Sequence, residues 1–309
     1  MPELPLISVL VITYNGAAYI QRQIDTILQQ TYTNIEVIIA DDASTDNTVA
    51  LLQSLYGNLP HVRIIANEQN VGYIKNFENA LAYCKGTYIC FSDQDDIWLL
   101  HKIATLYAHI GDKLLVYSDS LMVNEHEVSI GKKLSDVSNM YTGSDTRGFI
   151  LWNVVWGHTM MVHRSLLDYS LPIPAYTPHD IWLAFRACTL GGIVYVDEVL
   201  THYRRHTGNV TVTPIVKAKN EKSRPYSQRY QEYLEKLNWI ELGVAYDTQL
   251  QAFYTRLLYL FKQKEKGRFV WPLFFFLVAH RKALFRFRNK KWISQILELR
   301  KQSRGERKH

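Results

Sequence analysis

The chain has 309 residues, 47% of them hydrophobic, and a formal net charge of +6. This size and apolar content give room for one large domain plus an appendage, and exclude a disordered or fibrous chain. Three cysteines, Cys84, Cys90 and Cys188, form neither a CxxC pair nor an even framework, which argues against a disulfide scaffold and against a zinc centre.

The opening MPELPLISVL has no basic n-region and no cleavage site, which predicts a cytoplasmic chain. Ile7–Thr13 (ISVLVIT) is apolar and β-branched and reads as a buried strand. Asn15-Gly16 turns the chain, and Ala17–Gln29 has helical spacing. Ile35–Ala40 is the next strand. It ends in Asp41-Asp42, and STDNTVALLQSL then opens a helix with Ser, Thr and Asp as capping groups. Val62–Ala66 is a third strand, followed by NVGYIKNFENALAYC, a helix with an apolar face of Ile74, Phe77, Leu81 and Cys84. Thr87–Phe91 is the fourth strand. Strand–helix alternation at this spacing predicts a mostly parallel sheet covered on both faces, with ligands held beyond the carboxyl ends of its strands.

Three polar segments then fall on one rim: Thr13-Tyr14-Asn15, Asp41-Asp42 and Asp93-Gln94-Asp95-Asp96, each directly after a strand. Five aspartates on one rim repel one another unless a cation or a hydrogen-bond donor sits among them. A hard divalent ion is the natural partner, and a nucleoside diphosphate would complete its shell. The plainer alternative is helix capping, since Asp93–Asp96 stand ahead of a helix expected near Leu99. TYNGAAYI after the first strand lacks the G-x-G-x-x-G of a dinucleotide fold, and no strand is followed by the GK[ST] of a P-loop.

SVLVITYNGAAYIQRQIDTILQQTYTNIEVIIADDASTDNT resembles the opening of a family 2 glycosyltransferase, and NVGYIKNFENAL and SDQDDIW continue the likeness, which extends from Ile7 to Asn209. SDQDDIW, GHTMMVHRSLLD, HDIWLA and YRRHTGNV resemble the bacterial rhamnosyltransferase-like branch. The resemblance implies an α/β, GT-A nucleotide-diphospho-sugar transferase fold: a Rossmann-like, mostly parallel sheet with a helical C-terminal extension. The expected division is a catalytic domain over 1–215 and a helical, basic region over 216–309. Within the first, 1–110 binds the nucleotide sugar and 111–215 forms the acceptor and catalytic half.

The same resemblance assigns roles. Asp41 and Asp42 stand where the family reads the nucleotide base, Asp42 being the stronger candidate; a carboxylate there accepts the imide N–H of uracil or thymine. Thr13 and Asn15 match first-loop contacts to the nucleoside. Lys75 matches a basic residue beside base or phosphate, with a solvated helix lysine as the plain alternative. Asp93 and Asp95 match the DxD pair. Asp93 is expected to face ribose or sugar, and is a further metal candidate; Asp95 is expected to hold the metal, and Asp96 to hydrogen-bond locally. His206 matches the residue that closes the metal or diphosphate from the far side, and Arg204 and Arg205 offer positive charge to the leaving diphosphate. The implied cofactor is Mn2+ or Mg2+.

In the second half, Thr159–His163 reads as a strand entered by a turn at Gly157-His158. The rings of LWNVVW ahead of it suit the apolar faces of a sugar, although packing is their commoner use. Pro178 sets His179-Asp180 at a helix start, with Ile181, Phe185 and Cys188 on a buried face. By resemblance Asp180 is the catalytic base, with a cap at the helix N-terminus as the plain alternative. His179 replaces the acid the family more often carries there. Trp156, His158, His179 and Trp182 are the acceptor-binding candidates.

The last stretch differs in kind. From Lys262 to His309 there are fifteen Lys and Arg against three Asp and Glu, and the rest of the chain carries twenty against twenty-six. Val216–Gln263 is polar with helical spacing. The uncharged run Phe269–Ala279 falls short of the ~18–20 residues that cross a bilayer. Its aromatic and aliphatic residues interleave with Arg281, Lys282, Arg286, Arg288, Lys290 and Lys291. The pattern predicts an interfacial helix or hairpin over 268–291 on an anionic membrane surface. A packed extension or a homo-oligomer interface is the alternative, and no nucleic-acid recognition motif accompanies the charge. The sequence thus leads to an inverting enzyme, peripheral on the inner face of the plasma membrane. Its expected reaction moves L-rhamnose from dTDP-L-rhamnose to a lipid-linked cell-surface polysaccharide precursor. A UDP-hexose donor on the same fold is one alternative, and a non-catalytic nucleotide-sugar-binding scaffold or regulatory subunit is another.

Overall fold

The computed structural model describes residues 4–174, 177–206 and 226–305. They cluster into two units, one of Met1–Ser144 with Val154–Arg205, the other of Asp145–Asn153 with His206–His309. A short inner segment, Asp145–Asn153, thus clusters with the C-terminal residues.

The first unit begins with β1 (Ile7–Thr13), α1 (Ile20–Leu28), β2 (Ile35–Asp41), α2 (Thr48–Tyr56), β3 (Val62–Ala66), α3 (Tyr73–Leu81) and β4 (Tyr88–Ser92). Helix α1 forms because Ile20, Ile24 and Ile27 recur at helical spacing and all are fully buried. Each such side chain contributes about 1.5–3 kcal/mol by leaving water, and Ile24→Ala would cost about 2–5 kcal/mol with its cavity. The helix begins three residues later than expected, because Asn15 takes φ 50° and the chain still turns through Ala17–Tyr19.

The chain continues with β5 (Ile97–Trp98), α4 (Lys102–Ile110), β6 (Leu115–Asn124), β7 (Ser129–Lys133), β8 (Met160–His163), α5 (Leu166–Ser170), α6 (His179–Thr189) and β9 (Ile193–Arg205). The strands form one sheet in the order β3-β2-β1-β4-β8-β6-β9-β5, with β7 on β6. β1 to β4 run parallel, in register Thr13↔Asp41 at the carboxyl ends. Beyond β4 the sheet is mixed: β8 is antiparallel to both neighbours, and β6 pairs parallel with β9. The sheet runs without a break past residue 110, so the two expected halves share one scaffold. Asp93–Asp96 lead into β5, not into a helix, and α4 starts at Lys102 with His101 as its cap. Helix capping therefore does not account for the acidic cluster.

The second unit holds α7 (Tyr226–Tyr246), α8 (Gln251–Lys262), α9 (Trp271–Ala279), α10 (Arg281–Leu284) and α11 (Trp292–Gln302). Its expected helical start near Val216 lies outside the described residues, as do Thr207–Val210 of YRRHTGNV. Tyr254 is fully buried there, and its hydroxyl shares a 2.8 Å hydrogen bond with Thr146 Oγ1, which also donates to Asp247. Phe149 packs edge-on against Phe287 at 4.8 Å. Among the described residues no helix is long and apolar enough to cross a membrane.

Candidate active site

The loops after β1 and β2 are tied to each other by side-chain hydrogen bonds. Asn15 Oδ1 accepts from the Thr45 and Asp46 amides at 2.8 and 3.3 Å. Thr13 Oγ1 donates to Gln94 Oε1 at 2.7 Å, and the same oxygen accepts from the Tyr14 amide. Asp41 accepts from the Ser44 amide and hydroxyl, so it braces its own loop. Asp42 is buried at 3% exposure and accepts from Val71 N and Gly72 N, both at 2.9 Å, and from Asn67 Nδ2 at 3.0 Å. Its carboxylate thus holds the β3–α3 loop, where Gly72 takes φ 85°. Lys75 is exposed on α3 beside Glu78.

The acidic segment after β4 builds a compact cluster. Asp93, Asp96 and His158 each offer one ligand atom, all within 4.8 Å of one another. His158 Nδ1 lies 3.7 Å from both Asp93 Oδ2 and Asp96 Oδ2, its Nε2 is 3.1 Å from Ser120 Oγ, and its ring stacks on Tyr203. Burial lowers the His158 pKa, but the Asp96 and Asp93 carboxylates outweigh it and raise the value. Burial alone would raise Asp93; the His158 hydrogen bond and charge hold it below the usual carboxylate range. Asp96 is fully buried, and burial together with the Asp95 and Asp93 charges pushes it up to about 7. Its Oδ2 is buried without a hydrogen-bond partner, an orphan that a cation would satisfy. Two carboxylate oxygens and an imidazole nitrogen form a donor set for a divalent metal ion.

Among the described residues Asp96, expected to act only locally, joins Asp93 and His158 in the cluster. His206 directly follows β9 and falls in the second unit. His158, expected at the acceptor, is 2% exposed and fully enclosed by the carboxylates, Ser120 and Tyr203. Arg204 is equally committed: it donates to Asp95 O and Glu125 O at 2.8 Å and pairs with Glu127 at 3.1 Å. It thereby clamps the acidic loop. Arg205 lies against Tyr203, 5.5 Å from the ring centre.

A buried lysine completes the cluster's charge. Lys102 is fully enclosed, with Nζ donating to His158 O at 2.5 Å and Thr201 Oγ1 at 2.8 Å, 3.7 Å over the Trp98 ring. Burial pulls its pKa down to about 7, against the opposing pull of Asp96 and Asp93.

The start of α6 carries His179, Asp180 and Trp182, the residues expected as base and acceptor contacts. Asp180 Oδ1 accepts from its neighbour Ile181 N at 2.7 Å, yet burial raises its pKa to about 6, with the Asp93 charge adding to the rise. Beside it, His179 stacks on Phe77 at 3.8 Å and shares a short hydrogen bond with the Tyr73 hydroxyl through Nδ1. Burial drops His179 to about 4, so the ring is neutral. A Cβ on Gly157 would sit 2.7 Å from His179 Nε2, so only glycine fits there. Tyr73 is 43% exposed overall, and burial of its hydroxyl, followed by the Asp180 and Asp93 charges, raises its pKa. Trp156 is half-buried against Met122, Leu134 and Tyr203. Trp182 is 1% exposed, bonds Ser170 O through its indole N–H and stacks on Phe185, so it packs the core and offers no face to a sugar.

A parallel sheet with its acidic loops gathered at the carboxyl rim, continued by antiparallel β8, defines a nucleotide-diphospho-sugar transferase of the GT-A class. The structure is similar to TarS of S. aureus in complex with UDP-GlcNAc, at TM-score 0.60 and 17% identity over 91% of this chain and 78% of that one. It is also similar to a mannosyltransferase from Pyrobaculum calidifontis bound to GDP-Man and Mn2+, at TM-score 0.54 and 16% identity over 96% and 74%. The family model Glycosyl transferase family 2 matches residues 8–170, and the chain belongs to that family. An uncharacterized glycosyltransferase of Haemophilus influenzae is 26% identical over 82% of both chains. An Escherichia coli UDP-Glc:alpha-D-GlcNAc-diphosphoundecaprenol beta-1,3-glucosyltransferase is 27% identical over 58% of this chain and 69% of its own. Chondroitin synthase of Pasteurella multocida is 44% identical over 94 residues, only 10% of that enzyme's length.

Proposed function

We propose that this glycosyltransferase moves a hexose, with inversion, from a pyrimidine nucleoside diphosphate to a hydroxyl of a lipid-linked saccharide, with a divalent ion at Asp93, Asp96 and His158. The observation that carries the reading is the neighbourhood of Asp180, a carboxylate raised to about 6, with that cluster on the carboxyl rim. Asp180 takes the acceptor hydroxyl proton as the new bond forms at the anomeric carbon, and the bond to the diphosphate oxygen breaks on the opposite face. A bound divalent ion supplies charge to the leaving diphosphate. Asp95 and His206 are the ligands that motif resemblance implies; the cluster geometry favours Asp96 and His158. Lys75 and Arg205 are the remaining basic residues offered to the nucleotide.

The resemblance of SDQDDIW, HDIWLA and YRRHTGNV supports dTDP-L-rhamnose as donor. UDP-hexose is a second reading, favoured by the UDP complexes of the TarS fold and by the UDP-Glc-dependent relative. The deciding experiment is a donor screen with Mn2+ or Mg2+ that reads nucleoside diphosphate release with and without a lipid-linked saccharide. Acceptor-stimulated release from dTDP-L-rhamnose alone supports the first reading, and release from a UDP-hexose replaces it. No release from any donor, or full rate in excess chelator, defeats the metal-assisted transfer itself.

A further inference from the structure

We propose that α9 and α11 together form a docking surface for an anionic lipid bilayer. The two helices are neighbours in the second unit. Val270 N, just ahead of α9, donates to Ser303 O, just past the end of α11, so the start of one helix meets the end of the other. Each buries a narrow stripe, Leu273 and Leu277 on α9 and Leu299 on α11. Each also leaves large apolar side chains in water. Trp271 and Phe275, one helical turn apart, are 60% and 62% exposed; Trp292, Ile293 and Leu297 are 62%, 65% and 57% exposed. The α9 rings touch one another, Phe269 to Trp271 at 4.7 Å and Trp271 to Phe275 at 6.0 Å. Soluble monomers rarely leave such a cluster bare.

Charge selects the occupant. Lys282, Lys291, Arg300, Lys301 and Arg304 are exposed on or beside these helices. Arg286 is spent within the unit on Asp145 at 2.7 Å, and Arg288 lies over Trp152 at 4.6 Å. The surface therefore pairs exposed tryptophan and aliphatic groups with lysine and arginine, the chemistry of the headgroup region of an anionic leaflet. A second copy of the chain would set like charges against each other. Neither helix is long enough to span, so the surface rests on the bilayer. It extends beyond the 268–291 stretch read from the sequence, because α11 supplies three of its exposed side chains. The inference is independent of the transfer chemistry, and a failed donor screen would leave it standing.

The test is sedimentation of the full chain with vesicles of phosphatidylcholine, alone or mixed with phosphatidylglycerol, over a range of salt. The expected result is binding to the anionic vesicles at low salt that weakens but persists as salt rises, since charge is screened and apolar insertion is not. Tryptophan fluorescence shifts to the blue on binding. Phe275→Ser with Leu297→Ser, both at exposed positions, lowers partitioning by about tenfold or more. Lys291→Glu with Lys301→Glu lowers it at low salt only. No binding at low salt overturns the proposal. So does binding untouched by both double variants, or a dimer of the wild-type chain that Phe275→Ser with Leu297→Ser disperses.

Discussion

The two sides of the site are built in opposite ways. On the side of the β1 and β2 loops, the motif side chains are used up on neighbouring backbone: Asn15 on Thr45 and Asp46, Asp41 on Ser44, Asp42 on Val71 and Gly72. On the side of β4, β8 and α6, ionisable groups are buried, crowded and shifted: Asp96 and Asp180 up, His179 and Lys102 down. The first arrangement makes a stiff cradle in which shape is fixed before a ligand arrives. The second stores electrostatic potential, which is where chemistry is expected.

The sharpest way to break this contrast is Asp180→Asn. Turnover should fall by ~10²–10⁴-fold with donor affinity nearly unchanged, as for a lost general base. The same variant should be more stable at neutral pH. A carboxyl whose folded pKa is raised to about 6 favours the fold below its unfolded value and loses that contribution as pH rises through 6. An Asn with lower melting temperature, or with donor binding lost in step with rate, would make Asp180 a cap or a donor ligand. In the wild-type chain, kcat/KM should rise tenfold per pH unit below about 6 and level off above it.

Next in size is the carboxylate cluster. Asp96→Asn should weaken Mn2+-dependent donor binding more than Asp95→Asn, measured by titration calorimetry with donor and metal. The reverse order would return the metal to the DxD pair and make Asp96 a structural group. Lys102→Met should follow. It leaves His158 O and Thr201 Oγ1 without their donor, at about 1–3 kcal/mol for each buried group left unpaired. Denaturant unfolding measures it, and an unchanged midpoint would mean that water replaces the ammonium.

The smallest effect is expected in the cradle. Asn15→Ala removes an acceptor shared by two exposed amides, which water can replace, and sets an alanine at φ 50°, so stability should fall by about 1–2 kcal/mol. Donor KM should rise while kcat holds, because only loop position is disturbed. A drop in kcat as large as that of Asp180→Asn would erase the distinction between the two sides.

The same contrast explains what the sequence made legible. β1 to β4 are apolar runs closed by polar loops, so both the strands and the loops at their carboxyl ends could be read from periodicity. β6 could not: Ser118, Asp119 and Ser120 interrupt its apolar pattern, because the strand bulges on both sides of Asp119. β5 has two residues and exists only through its pairing with β9. The likeness of SDQDDIW to a known motif pointed to Asp93 and Asp95 in the acidic loop, and the cluster adds Asp96. Nothing local says that Asp96 turns inward to a histidine sixty-two positions later. The burial of Lys102 was illegible for the same reason: a lysine opening a helix looks solvated until the sheet encloses it. Trp182 shows the opposite difficulty, since an aromatic at a helix start fits a sugar pocket as readily as the core that holds it here.

Gly157, His179 and Tyr73 come from three separate stretches of chain and fit only as a set. The imidazole needs the bare glycine backbone on one flank and the phenol on the other. Evolutionary drift at any one of them is therefore constrained by the other two. A smaller side chain at position 179 would free the space that now forbids a side chain at position 157, and would leave the phenol without its companion. The three should therefore vary together, as a single unit beside Asp180.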